Sequence, residues 1–261
     1  MSKTYKITEL MACVIARELK NNDKVAIGLY GEFMLAAAFL AQKFHAKKLK
    51  IRHGLNVKRG IELNPAAWSL NTDTKADKLA KYEDKHESIL TIINPKKRFC
   101  DTFFISGMQI DKFGNTNLIG IKGRSKKMKI RGPGSIGISS IAQFAKKYYI
   151  FTLEHSKRRF VEKADYVSSI GYDTRKKYRI RNGPRLCITP LCVFDFKNGI
   201  MRLRSITPNS TLEEIKEKTG FKFIIPKKIA TTKKPTKQEL DFLRKIDKNN
   251  EFGKLEKQII C

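Results

Sequence analysis

Residues 7–54 read ITELMACVIARELKNNDKVAIGLYGEFMLAAAFLAQKFHAKKLKIRHG, and this stretch decides the class of fold. Ile7, Leu10, Met11, Val14, Ile15 and Leu19 recur at helical spacing, with Lys, Arg and Glu on the other face. Asn21-Asn22-Asp23 punctuates the end of that helix, and Val25 to Leu29 then reads as a buried strand. Gly31 leads into an alanine-rich helix over Phe33 to Phe44. Leu49 to Ile51 opens a second short strand that stops at His53-Gly54. Helix, strand, helix, strand in that order predicts an α/β fold, an open and mostly parallel sheet with flanking helices. Ligands of such sheets collect beyond the carboxyl ends of the strands, here near Gly28 to Glu32 and Arg52 to Asn56.

Working outward, Asn71 to His86 is polar and reads as a surface excursion. Phe103 to Ser106 is another buried strand, emptying into the turn-rich Gly107 to Asn117. Tyr148 to Leu153, Phe160 to Val167, Leu186 to Phe196 and Ile200 to Ile206 have strand composition. Two helices announce themselves late. Ser210-Thr211-Leu212-Glu213 is a capping-box pattern, with Gly220 closing that helix where a left-handed residue is wanted. Thr236-Lys237-Gln238-Glu239 repeats the signal before Leu240, Leu243 and Ile246, predicting a C-terminal helix. Residues 225–235 are basic, carry two prolines and read as an exposed linker. No internal repeat is visible, so residues 1–261 are expected to form a single domain.

The chain has 261 residues, and its 54 Lys and Arg against 25 Asp and Glu give a net charge of +29. That charge suits anionic partners. The lysines are scattered along the whole length, however, and no RNP aromatic signature, zinc-knuckle spacing or arginine-rich arm accompanies them. Nucleic acid is therefore not the expected partner. The cysteines Cys13, Cys100, Cys187, Cys192 and Cys261 form no C-x-x-C pair, and their odd number argues against a disulfide framework. They are expected to be reduced and mostly buried, as in a cytoplasmic protein. The N-terminus leads into an amphipathic segment without an apolar signal core. The longest apolar run, around Phe33 to Leu40, is far too short to span a bilayer, so no membrane contact is expected. No His, Cys or carboxylate cluster has metal-ligand spacing, so no metal is expected either.

Two segments carry the chemistry. The first, Ile105-Ser-Gly-Met-Gln-Ile-Asp-Lys-Phe-Gly-Asn-Thr-Asn117, is a strand running into a loop of residues that tolerate tight or left-handed backbone. The second is His155-Ser-Lys-Arg-Arg-Phe-Val-Glu-Lys-Ala-Asp-Tyr-Val-Ser-Ser169. Between them stands the glycine turn Gly132-Pro-Gly-Ser-Ile-Gly137. Together, in this order, they resemble the small subunit of glutaconate CoA-transferase, a family I CoA-transferase of the NagB/RpiA-like fold. The likeness runs from the Ile7 helix through Leu243. It implies a β-type subunit that joins an α-type CoA-transferase subunit as a heterodimer or heterotetramer. It also implies a coenzyme A thioester as substrate, no tightly bound cofactor, and an active site between the two chains. The loop residues Gly107, Gln109, Asp111, Gly114, Asn115 and Asn117 are then the expected coenzyme A contacts. Gly134 and Ser135 are the nearest match to the family's oxyanion loop. Lys126, Lys127 and Lys129, just ahead of that turn, are expected to draw in the phosphates of coenzyme A esters.

One departure changes the chemistry that the resemblance implies. The family's small subunit carries a nucleophilic glutamate at the end of the second strand, where this chain reads Ile51-Arg52-His53-Gly54-Leu55. Arg52 stands at the glutamate's position, and a guanidinium cannot attack a thioester carbonyl. His53 follows it as a titratable neighbour of undefined role. Glu32, at the exit of the first strand, and Glu62, beyond the second, are the nearby carboxylates. Ring-opening acyl-CoA hydrolases of the same superfamily also lack the β-chain glutamate and use one from the α chain. This chain shares with them Pro133-Gly134, Ser169-Ile-Gly-Tyr-Asp173 and Val193-Phe-Asp-Phe196. The expectation is thus a CoA-transferase or, given Arg52, a ring-opening acyl-CoA hydrolase. A reading of a different class is a non-catalytic chain that stabilises a partner or binds RNA through its charge.

Overall fold

A computed structural model describes residues 5–28, 31–53, 55–56, 100–135, 137–180 and 182–261; the side chains of Glu32, Arg52, His53, Leu55 and Asn56 lie outside that description. The excursion at 71–86 and Glu62 also fall outside it. The chain gathers into two compact units, one of residues 1–91, 100–102 and 233–258, the other of residues 92–99, 103–232 and 259–261.

In the first unit, α1 (Ile7–Glu18) and α2 (Glu32–Phe44) pack on each other and on α6 (Lys237–Ile246) and α7 (Glu251–Glu256). The helical stripe works as its spacing implies: Leu10, Met11, Ile15 and Leu19 are buried against an α2 whose Ala36, Ala37 and Ala38 allow close approach. The N-terminus of α1 is closed from a distance. Glu256 accepts from Ile7 N at 3.0 Å and Thr8 N at 3.0 Å, placing a carboxylate on free amides at the positive end of the helix. Arg17 grips Glu239, whose carboxylate also completes the Thr236 capping box. Strand β1 (Lys24–Ala26) runs parallel to β2 (Lys50–His53), which turns antiparallel into β3 (Leu55–Asn56). The strand expected over Val25 to Leu29 is thus shorter and begins one residue earlier.

The second unit holds six adjacent strands in the order β13, β12, β11, β10, β9, β4. They are β4 (Thr102–Ile105), β9 (Lys147–Phe151), β10 (Pro184–Ile188), β11 (Cys192–Lys197), β12 (Ile200–Ile206) and β13 (Ala230–Thr231). β9 and β10 are parallel, β10–β11–β12 is an antiparallel meander, and β13 returns parallel to β12. Helices α3 (Ile138–Phe144), α4 (Tyr172–Lys177) and α5 (Leu212–Lys218) complete the unit, and the chain is the α/β protein its first fifty residues predict. Its core is aromatic: Phe160, Phe194, Tyr148 and Tyr149 are buried, with Phe160 against Phe221 and Phe194 against Phe223.

Four readings need correction. Leu186 to Phe196 is two strands, because the Thr189 hydroxyl accepts from Leu191 N and Cys192 N and folds the chain back at Pro190. Phe160 to Val167 is not a strand: only Phe160 bridges, to Ile110, and the following residues turn. The cap of α5 is Thr211, not Ser210. Gly220 is needed for proximity rather than handedness, since its N–H donates to Phe160 O at 2.8 Å and a Cβ there would collide with that oxygen.

Candidate active site

The loop after β4 is built inward. β5 (Gln109–Ile110) and β6 (Thr116–Asn117) pair, and between them the Asp111 carboxylate accepts from the amides of Phe113 at 3.0 Å and Asn115 at 3.1 Å. Gly114 sits at φ +81°, a conformation glycine takes without strain, against Pro184 and Phe196. The Asn115 amide donates to Asp111 and Asp173 and accepts from Gly171 N at 2.6 Å. Asn117 donates to Gln109 Oε1 at 2.8 Å and Gly120 O at 2.6 Å, while Gln109 donates to Asp165 at 3.0 Å. Gly107, Gln109, Asp111, Gly114, Asn115 and Asn117 are all buried. Burial raises the Asp111 pKa, against the lowering pull of its bonds from Asn115 and Phe113. The loop is therefore a rigid shelf whose polar side chains are spent on one another.

The second motif holds that shelf in place. Glu154, one residue ahead of it, is buried and receives Ser156 Oγ, Arg158 Nε at 2.5 Å and Arg159 Nη2 at 2.7 Å. Burial alone would raise its pKa, but the bonds from Arg158 and Ser156 and the charge of Arg159 hold it at about 2. Arg159 in turn donates to the Gly107 carbonyl, and its own carbonyl accepts from Ile110 N. The Glu154–Arg159–Gly107 chain explains why the two motifs occur together, and Glu154 is the member that the motif's letters alone do not single out. His155 is sealed in the core, its ring nitrogens at 2.9 Å from Thr189 Oγ1 and 3.0 Å from Thr219 Oγ1. Burial, helped by nearby Lys218, lowers its pKa to about 3, so it is neutral and structural.

The glycine turn follows a hairpin of β7 (Gly120–Lys122) and β8 (Met128–Arg131) and is pinned back onto it. Gly132 N donates to Ile119 O at 2.8 Å and Gly134 N to Leu118 O at 2.9 Å. The Gly134 amide is thus committed, while among the described residues the Ser135 N–H makes no hydrogen bond. A Cβ at Gly132 would overlap the Leu118 carbonyl and the Met108 sulfur. Gly132→Ala should therefore push the turn out of place and lower stability by about 2 kcal/mol, as read from urea unfolding midpoints. An unchanged midpoint would mean that the turn is not held where it is described.

In the first unit, Arg52 and His53 end β2, with Arg52 opposite Ala26 of the parallel β1, and Glu32 opens α2. Among the described residues, no group of three or more His, Cys, Asp or Glu could hold a metal, and no helix is long and apolar enough to cross a membrane.

Known proteins match this arrangement along most of the chain. The B subunit of glutaconate CoA-transferase from Acidaminococcus fermentans is 28% identical over 246 residues, 86% of each chain. The crystal structure of that enzyme superposes with a TM-score of 0.78, at 26% identity, over 95% of this chain and 97% of the other. The B subunit of 3-oxoadipate CoA-transferase from Pseudomonas knackmussii is 34% identical over 154 residues, 56% of this chain and 58% of the relative. The IpdB subunit of a cholesterol ring-cleaving hydrolase from Mycobacterium tuberculosis is 32% identical over 146 residues, 53% of this chain and 56% of the relative. The family model for coenzyme A transferase matches residues 8–218, which take in both motifs, the glycine turn and β2, and the chain belongs to that family.

Proposed function

We propose that this chain is the β-type subunit of a cytoplasmic, heteromeric enzyme acting on coenzyme A thioesters, and that the catalytic carboxylate comes from an α-type subunit. Arg52 carries the reading. It stands one residue before the end of a strand that pairs in parallel with β1, where this fold class binds ligands, and the resemblance sets it against the family's nucleophilic glutamate. A permanently protonated guanidinium there removes the covalent glutamyl-thioester route. Hydrolytic ring opening of a cyclic acyl-CoA, with the partner's carboxylate as general base, needs no such glutamate. A ring-cleaving hydrolase subunit stands among the relatives beside two CoA-transferase subunits, so the choice over transfer rests on Arg52. Four of the five cysteines are buried, which suits reduced thiols and a reducing compartment.

The roles divide by what each group has left to offer. Ser135 N–H is the donor available to an oxyanion, with Gly134 N–H fixing its direction through Leu118. The 107–117 shelf meets coenzyme A by its shape and backbone, because its side chains are engaged internally. Lys126, Lys127 and Lys129 are exposed cations beside it in sequence.

A trapping experiment tests the reading. The chain is reconstituted with its organism's α-type subunit, incubated with short-chain and cyclic acyl-CoA esters, and treated with borohydride. Borohydride converts a glutamyl thioester into an alcohol that peptide mass spectrometry identifies. The expected result is ring opening of a cyclic acyl-CoA, with water added across the broken carbon–carbon bond and the thioester retained, and no reduced glutamate in this chain. A reduced Glu32 or Glu62 overturns it in favour of a transferase.

A further inference from the structure

The β7–β8 hairpin is the most unusual surface of the second unit. Residues 122–131 contain Lys122, Arg124, Lys126, Lys127, Lys129 and Arg131, and no acidic residue. All four residues of β8 are exposed, including Met128 at 38% and Ile130 at 46%. The tip is a tight turn in which Gly123 N donates to Lys127 O and Lys126 adopts φ +60°. The hairpin is held at both ends: where β7 meets the tip, Lys122 N donates to Asp165 at 3.0 Å and its ammonium lies over the Tyr166 ring, and at the base the glycine turn is tied to Leu118 and Ile119. A stiff two-stranded arm thus holds cations and large apolar side chains out into solvent.

Each half of that composition has a simple explanation, but not both at once. Lysines on an exposed edge strand keep sheets from pairing edge to edge. A phosphate-binding strip would use the same cations and gain nothing from exposed Met128 and Ile130. A second copy of this chain would place twelve such cations together between two chains of +29 each, which is repulsive. Apolar anchors ringed by cations suit a protein face that has apolar pockets ringed by carboxylates.

We infer that the β7–β8 hairpin is a docking arm for an acidic face of the α-type partner subunit, with Met128 and Ile130 as its apolar anchors and the six cations as its electrostatic guide. This rests on the heteromeric reading given above. A stable interface covers about 800 Å² on each side, so a ten-residue arm is one part of it. The arm runs without a break into the turn that carries the Ser135 N–H. Seating it would therefore fix that turn and assemble the subunits in one act.

The test compares wild type with Met128→Ser/Ile130→Ser and with Lys126→Gln/Lys127→Gln/Lys129→Gln. Affinity for the purified α-type subunit is measured between low and high salt, and the acyl-CoA KM at saturating partner. All three proteins must first show the same unfolding midpoint, which these exposed positions allow. The apolar pair should weaken assembly at least tenfold at every salt concentration. The lysine triple should slow association several-fold at low salt, the gap closing as salt is added, and the apolar pair should leave KM unchanged. If wild type forms no complex, the heteromeric reading fails and this inference with it. If wild type assembles and both variants do so equally well, only the docking arm is overturned. Should the lysine triple raise KM while assembly is unaffected, the cluster serves coenzyme A capture and the inference fails as well.

Discussion

Arg175→Met will destabilise the protein by about 3 kcal/mol, the largest single loss expected from a change outside the reacting groups. Arg175 is 1% exposed, yet no carboxylate among the described residues is bonded to it. Its guanidinium instead donates to three main-chain carbonyls: Ile170 at 3.0 Å, Asn182 at 2.7 Å and Ala142 at 3.0 Å, and it lies over the Tyr148 ring. These carbonyls belong to the approach to α4, the approach to β10 and the last turn of α3. Methionine fills the volume but leaves Asn182 O and Ala142 O without this donor, each bond to the charged group worth about 1.5 kcal/mol or more, while Ile170 O keeps its bond from the Tyr148 hydroxyl at 3.0 Å. Lysine keeps the charge but presents its three N–H groups from one nitrogen, whereas Arg175 uses three separate nitrogens to reach its three carbonyls, so Arg175→Lys should fall between the two. Urea midpoints with unchanged m-values would measure the effect; a loss below about 1 kcal/mol would mean that water replaces the arginine.

The second large effect is a loss of stability in acid caused by His155. An unfolded histidine takes up a proton near pH 6.5, whereas the folded side chain resists it until about pH 3 because it is buried beside Lys218. Below 6.5 the unfolded chain therefore binds one proton more than the folded one. Stability falls as the pH drops across that window, by roughly 1.4 kcal/mol per unit and roughly 5 kcal/mol in all. His155→Phe keeps a ring between Phe160 and Phe194. Thr189 and Thr219 retain bonds to Cys192 O and Ile215 O. Its stability should decline less steeply than wild type between pH 6.5 and 4. Glu154 contributes a separate slope below its unfolded value of 4.5, present in both proteins, so the difference between them isolates the histidine. Parallel slopes would show that His155 is protonated in the folded chain.

The parts of this fold that are legible in the sequence are those where side chains repeat. α1 and α2 announce themselves by an apolar stripe and an alanine run, β12 by composition, and α6 by a cap that operates as its letters imply. What stays hidden depends on a partner far along the chain. Nothing local distinguishes Phe160 to Val167 from a strand; it is the Gln109 side-chain carbonyl, accepting from Asp165 N, that bends it. Gly220 looks like a helix terminator because the oxygen that demands a glycine is sixty residues away in sequence. The site shows the same division. The residue types of the 107–117 loop are right for a tight turn, but the sequence does not tell that Asn115 and Asn117 face inward. Nor does it tell which of two adjacent amides, Gly134 or Ser135, is already bonded.

The distribution of thiols makes this chain a convenient object for labelling. Cys13, Cys100, Cys187 and Cys192 are buried, and Cys261 alone is exposed. Ile260, its neighbour, is bonded on both sides to the segment that leads into the second motif, accepting from His155 N at 2.7 Å and donating to Leu153 O at 3.0 Å. A maleimide dye would therefore attach at one position without any cysteine having to be removed. Partial cover by the chain around it still holds the exposed Cys261 thiol above its usual pKa, so the coupling runs best in mildly alkaline buffer. The dye would then sit a few residues from Glu154 and Arg159, on the natural chain, as an optical reporter of whatever docks beside them.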